Sequence, residues 1–319
     1  MLLVFCAFLV LLVIGMPVAF AIGISGTLFF LQNLNLPFTI PIQLAVSQTQ
    51  NFALLAVPLF IFAGNLLNGS GITCRLLDLA NVLVGHMRGS LAQVNVILST
   101  LIGGVSGSCI ADAAMESRML GPEMIKRGYS KGYTCSVNVW TSLITPIIPP
   151  GIGFILYGTL GQVSIGRLFA GGLMPGLVLT ALYMGAVSID ARRKGFEPGR
   201  KGLPTLPEVG KAMGHSIWAL LFPFALLFGL RMGVFTPSEI GAFAVVYAVL
   251  VGWIAHRELT WCEFKEVMRT TTFDVGAVMI IIALSAIFGY GIVWERIPEV
   301  TANFLLGVSG SNPYLLIAI

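Results

Sequence analysis

The chain has 319 residues, of which 56% are hydrophobic and only 10% charged, with a mean hydropathy of +0.91 and a formal net charge of +4. That balance excludes an ordinary water-soluble globular protein, and so small a charge implies no nucleic-acid partner. Apolar runs recur along the whole length, so the chain is read as polytopic in a lipid bilayer rather than singly anchored.

Residues 1–14 and 17–32 form either one over-long span or two short ones hinged at Gly15, Met16 and Pro17. No Asp, Glu, Lys or Arg precedes Arg75. Ala19-Phe20-Ala21 resembles a signal cleavage site, but no basic stretch precedes it, so the segment is read as a retained span. A run at 52–68 follows. Residues 73–83 place apolar side chains at helical spacing with polar ones between, which predicts an amphipathic helix lying along the membrane. Further runs fall at 91–111, 133–157, 168–189, 214–230, 238–255 and 273–293. Residues 297–308 predict a second amphipathic helix, and 311–319 is the last run. The five cysteines are scattered without a CxxC pair, which predicts free thiols in apolar packing.

Basic residues set the expected topology, because cytoplasmic loops carry an excess of Lys and Arg. Arg192, Arg193, Lys194, Arg200, Lys201 and Lys211 mark one such loop, and Arg257, Lys265 and Arg269 another. With Arg75, Arg88, Lys126, Arg127 and Lys131 on the same side, residues 91–125 enter and leave from one face as a re-entrant hairpin. Residues 133–157 then cross, broken at prolines, and 168–189 return. Three crossings precede each amphipathic helix. That is the plan of an inverted repeat, common among secondary transporters, and it puts the N-terminus outside.

Two breaks carry the chemistry. The first is Gly103-Gly-Val-Ser-Gly-Ser108, at the hairpin tip. Lipid leaves freed backbone groups unpaired, so such a break at membrane depth persists only where protein or a water-filled cavity covers it. Carbonyls and the Ser106 and Ser108 hydroxyls suit a hard cation such as sodium. N–H groups at a half-helix start suit a carboxylate. Asp112 is costly there and balances charge. In the second break, Pro146, Pro149 and Pro150 remove donors and should free carbonyls near Ser142 to Thr145. Glu116 lies one turn from Asp112, and Arg118 is expected to neutralise both in a structural ion pair. A helix-packing face and a plain proline kink are the bland readings of the two breaks.

Gly103–Asp112, Gly128-Tyr129, Pro146–Pro150, Tyr157-Gly158, Val163-Ser-Ile-Gly-Arg-Leu-Phe169, Gly172-Leu-Met-Pro-Gly176 and Ala191-Arg-Arg-Lys-Gly195 together resemble the large membrane subunit of tripartite ATP-independent periplasmic (TRAP) transporters. The resemblance covers nearly the whole chain. It implies an all-α polytopic fold with inverted repeats, each holding a re-entrant hairpin and a discontinuous helix, and an elevator-like transport domain. It also implies sodium-driven import of an organic acid across a bacterial or archaeal inner membrane. The implied partners are a small four-helix membrane subunit and a periplasmic substrate-binding protein, with sodium as coupling ion and no cofactor.

Carried over by position, the candidate sodium site is Ser106, Gly107, Ser108, Thr145, Pro146 and Pro149. The candidate substrate site is Gly104, Ser108, Asp112, Gly151 and Ser164. The implied organisation is a scaffold and first arm at 1–90, the first hairpin and broken helix at 91–166, a return helix and basic loop at 167–212, and a second repeat at 213–319. By the resemblance, a second hairpin should begin where this sequence stops, so that repeat is incomplete here. Two departures stand out. Gly151 occupies a position where the family often has Ser, and Glu116 and Arg118 stand where small residues are usual. Competing readings are another secondary-transporter family of the same architecture, a non-catalytic membrane scaffold, and an intramembrane serine protease. The last would use Gly104-Val-Ser-Gly107 as a GxSG motif with Ser106 as nucleophile, but no histidine falls within a span core to serve as base. The expected class is therefore a transporter and not an enzyme.

Overall fold

The computed structural model describes residues 1–200 and 202–310, and among them every regular element is a helix. The apolar run expected at 311–319, and Lys201 of the basic loop, lie outside the described residues. The N-terminal ambiguity resolves into two helices, α1 (Leu2–Val13) and α2 (Val18–Gln32). They are separated at Gly15, whose φ of 89° is left-handed and suits glycine. At 12 and 15 residues, each is shorter than the roughly 20 residues that cross a bilayer. A third helix, α3 (Ile40–Thr49), is not predicted by hydropathy, because Gln43, Ser47 and Gln48 dilute its apolar residues.

The chain continues as α4 (Ala56–Gly69), extended at its start by a 3₁₀ turn, then α5 (Ile72–Val84), α6 (Ser90–Gly103), α7 (Cys109–Met119), α8 (Gly121–Lys126), α9 (Lys131–Thr141) and α10 (Ile152–Leu160). Next come α11 (Ile165–Lys194), α12 (Leu206–His215), α13 (Ile217–Arg231), α14 (Pro237–Leu250), α15 (Trp261–Trp294) and α16 (Ile297–Ser309). Phe52–Gly69, α11, Pro237–Ala255 and α15 are long and apolar enough to cross a membrane, and α12 with α13, bent by 66°, would make a fifth span. Capping boxes at Thr205/Glu208 and Thr236/Glu239 start α12 and α14.

Both expected amphipathic helices form. α5 buries Ile72, Leu76, Leu79 and Val84 along one face. Each of α5 and α16 has 13 residues and follows a left-handed residue, Gly71 at φ 72° and Arg296 at φ 52°. The cysteines are unpaired, but Cys6, Cys74, Cys135 and Cys262 are exposed rather than packed in a core. They sit on outward helix faces, where an apolar thiol can meet lipid instead of protein.

The chain divides into two compact units: Met1–Asn51 with the stretch from Asp274, and Phe52–Phe273. In the first, Val4, Phe29, Phe30 and Ile287 form the core. Phe30 stacks on Tyr290 with ring centroids 5.5 Å apart. In the second, α4 packs along α14 and α5 along α6. Gly241 gives α14 its close approach to Leu59 of α4.

Candidate functional site

The site lies in the second unit, where α6, α7 and α9 meet around the two breaks. α6 has 14 residues and α7 has 11, about 21 and 16 Å of helix, so neither crosses a bilayer alone. They run antiparallel: the Ser99 hydroxyl of α6 donates to Glu116 of α7, and the loop 104–108 turns the chain between them. The turn needs glycine at Gly107, which has φ 62° and where an added Cβ would stand 2.5 Å from the Pro150 carbonyl oxygen. The same contact shows that the two breaks touch. Gly103 lies similarly close to Thr145, and Gly64 of α4 and Pro223 of α13 close over Ser106 and Gly104.

At the second break, α9 ends in a 3₁₀ turn, Ser142–Ile144, and the chain resumes as α10 after the prolines. The expectation that carbonyls from Ser142 to Thr145 would go free needs correction at Ser142 and Ile144. The Ser142 carbonyl accepts from the Thr145 N–H at 3.2 Å, and that of Ile144 accepts from Ile147 and Ile148 at 3.0 and 3.1 Å. Tightening to 3₁₀ geometry recovers these partners before the prolines can orphan them. Gly151 also has a structural reason. A Cβ there would collide with the Pro146 oxygen, so a serine would not fit this closed break.

The polar side chains gather into one buried network. Asp112 accepts from the Thr145 hydroxyl at 2.5 Å, and Thr145 also reaches the Ser99 carbonyl at 3.4 Å. Glu116 accepts from Ser99 and, at 3.3 Å, from Thr141. Asn95 and Asn138 bond each other at 2.5 Å, and the Asn138 amide donates to Ser117 at 3.0 Å. Asp112 and Glu116 are 1% and 0% exposed. Two polar atoms in this region have no hydrogen-bond partner, the Ser106 hydroxyl and Asp112 Oδ1. Each such orphan costs about 1–3 kcal/mol, and more for a carboxylate, so a ligand that satisfied it would recover that energy.

Some sequence expectations do not hold. Arg118 does not neutralise the carboxylates: it is exposed and donates to the Ala114 carbonyl at 3.2 Å. Its place on the helix turns it away from the face that Asp112 and Glu116 share. The Ser108 hydroxyl caps α7, accepting from the Ala111 N–H at 3.4 Å. Pro146 is half-buried and Pro149 buried in the break. Ser164 is not brought to the cluster. It is exposed past the far end of α10, where with Arg167 and Leu230 it lines a separate cavity of about 440 Å³.

Asn95, Ser99, Asn138 and Thr141 are absent from the sequence-based candidates. Their signal is in the sequence nonetheless: Asn95/Ser99, Asp112/Glu116 and Asn138/Thr141/Thr145 are polar stripes at helical spacing within apolar segments. The protease reading falls on the geometry. The Ser106 hydroxyl is bonded to no base, and His256, for one, faces the Ser70 carbonyl at 3.0 Å.

Residues 5–319 match the family described as "Tripartite ATP-independent periplasmic transporter, DctM component". The chain is 30% identical over 312 residues to the sialic acid TRAP transporter large permease protein of Vibrio cholerae, covering 96% of this chain and 71% of that protein. It is 32% identical over 308 residues to the 2,3-diketo-L-gulonate TRAP transporter large permease protein of Escherichia coli, covering 96% and 72%. To the isethionate TRAP transporter permease protein DctMQ of Oleidesulfovibrio alaskensis it is 30% identical over 312 residues, 98% of this chain and 49% of that protein. An all-α, multi-pass chain whose two helix breaks meet around buried carboxylates, and which matches this family almost end to end, belongs to the DctM family as the large permease component of a TRAP transporter in the inner membrane, and is not an enzyme.

Proposed function

We propose that this permease imports an acid-bearing solute, delivered by a periplasmic binding protein, with sodium as the coupling ion and a small four-helix membrane subunit as its partner. The single observation that carries the reading is the pair of touching breaks, with Ser106 Oγ and Asp112 Oδ1 buried and unpartnered beside them. An all-oxygen lining of hydroxyls, backbone carbonyls and one carboxylate is the chemistry of a hard monovalent cation. On this reading Ser106, Gly107, Ser108, Thr145, Pro146 and Pro149 surround the ion, and Asp112 supplies the balancing charge. The solute meets Gly104, Ser108 and Gly151, with the α7 N-terminus turned to its acid group. Ser164 stands apart, at the separate cavity with Arg167.

The relatives' named solutes, sialic acid, 2,3-diketo-L-gulonate and isethionate, each carry an acid group. An inverted repeat is supported by the matched arms: α4 leads through left-handed Gly71 into α5, and α15 through left-handed Arg296 into α16. Residues 91–166 are the moving part on this reading.

The test is uptake of those three acids into liposomes containing the complete complex, with binding protein outside. Uptake that rises with an inward sodium gradient is expected. Uptake indifferent to sodium overturns the coupling, and failure to move any acid overturns the solute class.

A further inference from the structure

We propose that Glu116 is a proton-binding site of this permease, holding a proton in one state of the hairpin and releasing it in another while Asp112 keeps its charge. The starting point is the Asn95 amide. In one of the two orientations that its heavy-atom positions allow, its nitrogen donates to Asn138 Oδ1 at 2.5 Å, and the Asn138 nitrogen donates on to Ser117. That leaves the Asn95 oxygen facing both Glu116 oxygens, at 2.8 and 2.9 Å. With the amides this way round two acceptors face each other, so Glu116 must carry a proton that it donates to Asn95.

An amide's oxygen and nitrogen exchange places at the same heavy-atom positions. With both amides turned, Asn95 donates to both Glu116 oxygens, Asn138 donates to Asn95, and the Ser117 hydroxyl donates to Asn138. The chain of bonds reverses direction and stays complete, and Glu116 is then ionised. Ser99 and Thr141 donate to Glu116 in either state. The two states differ by one proton, exchanged with water, and by no displaced side chain.

The charges around Glu116 favour such a site. On its own helix Asp112 stands one turn away, while Arg118 is exposed and bonded elsewhere and Cys109 is two turns away at the helix start. α6 brings no titratable group, and neither does the 3₁₀ turn at 142–144. α8 carries Glu123, bonded to Arg127, and Lys126, both near its surface end. α9 carries Lys131 and Cys135, which are exposed, and Tyr133, which lies under Lys194. Among the described residues no cationic side chain pairs with either buried carboxylate. Two like charges one turn apart in a poorly polarisable interior do not both ionise without a compensating cation. A cation arriving beside Asp112 would therefore favour loss of the Glu116 proton, and by linkage the proton weakens the cation. Only this last step rests on the sodium reading.

Two measurements on the reconstituted complex test the proposal. Infrared difference spectra across a pH titration are expected to show a buried protonated-carboxyl band. The band shifts in wild-type protein made with isotope-labelled glutamate and is missing in Glu116→Gln. A band that ignores the label, or survives in Glu116→Gln, overturns the proposal. Binding of radioactive sodium is expected to weaken about tenfold per pH unit on the acid side of the titration in wild type and to be flat in Glu116→Gln. Sodium binding of equal pH dependence in both overturns the linkage. Absence of sodium binding at every pH overturns the coupling reading instead, and the infrared band alone then decides whether Glu116 binds the proton.

Discussion

In the first unit, Gly26 lets α2 approach α15 so closely that a Cβ would lie 2.8 Å from the Phe288 nitrogen. In the second, Gly107 lets the hairpin tip approach the proline break to a comparable 2.5 Å from the Pro150 oxygen. The geometry is alike and the surroundings are opposite. Around Gly26 the neighbours are rings and aliphatic chains, and the few hydroxyls are satisfied locally: Ser25 donates to the Ala21 carbonyl and Thr27 to that of Gly23. In the hairpin and the break that meet at Gly107 lie two buried carboxylates, neutral polar side chains that bond one another or the carboxylates, and two orphaned oxygens. Close helix contact in a membrane therefore does not mark a site by itself, since small residues also serve plain packing. Buried polarity left without a partner does.

The sharpest way to break this comparison is to place a β-branched side chain at each glycine. Gly107→Val combines a left-handed backbone with a collision against a carbonyl, a cost of several kcal/mol, on the order of what overpacking and left-handed strain together cost. Uptake in liposomes should vanish. Gly26→Val meets only the collision, so it should lower the unfolding temperature in detergent while the protein that does assemble still transports. Transport surviving in Gly107→Val would show that the two breaks need not touch.

The next effect separates function from stability. Ser106→Ala removes a hydroxyl that bonds nothing in the fold, and Asp112→Asn keeps an oxygen for the Thr145 hydroxyl while replacing the unpartnered Oδ1, so thermal unfolding should change little in either. Uptake should fall about 10–100-fold, the usual scale for disturbing an ion's ligand shell. Wild-type uptake in both variants would make the orphaned oxygens a packing accident. In the first unit, Phe30→Ala should show the reverse pattern. It loses the stack on Tyr290. In lipid the transfer part of the usual Phe→Ala cost largely disappears and the cavity part remains, leaving about 2 kcal/mol. Unfolding should be earlier and the sodium dependence of uptake intact.

Much of this is legible in the sequence. GGVSGS and the proline cluster read as breaks because glycine and proline act on the backbone locally, whatever surrounds them. The arm at 73–83 is legible from its spacing. Arg118 misleads because nearness in sequence to Glu116 and Asp112 says nothing of which way a long side chain leaves the helix. Asn95 and Asn138 escape notice because a single amide in an apolar run looks incidental. Their meaning appears only when α6 and α9 bring them within 2.5 Å of each other. The carbonyls of Ser142 and Ile144 find partners because the chain can tighten into 3₁₀ bonds, a choice that sequence alone leaves open. Gly15 marks the N-terminal hinge correctly, while α3 is hidden by its glutamines.

The smallest expected effect tests the contrast between paired and unpaired carboxylates. Outside the spans, Glu258 accepts from Arg75 at 2.6 Å, and Arg75 also donates to the Gly71 carbonyl at 2.9 Å, tying the start of α5 to the segment after α14. That hydrogen bond from Arg75 holds the Glu258 carboxyl below its usual range. A depressed value stabilises the fold fully above the unfolded carboxylate's titration, and the gain is lost as pH falls through the folded value. Glu258 is about half exposed, so solvent screening limits the gain to about 0.5 kcal/mol or less. Neighbouring His256 is held low chiefly by burial, so its contribution declines over a higher pH range, between its unfolded and its folded values. The quantity to measure is therefore the difference in unfolding temperature between wild type and Glu258→Gln across acid pH. It should shrink toward zero at the acid end and shrink again when salt is raised at neutral pH. A difference that persists under both conditions would mean that Glu258 holds the arm by packing and not by its charge, and the contrast with the cation-free carboxylates of α7 would lose its basis.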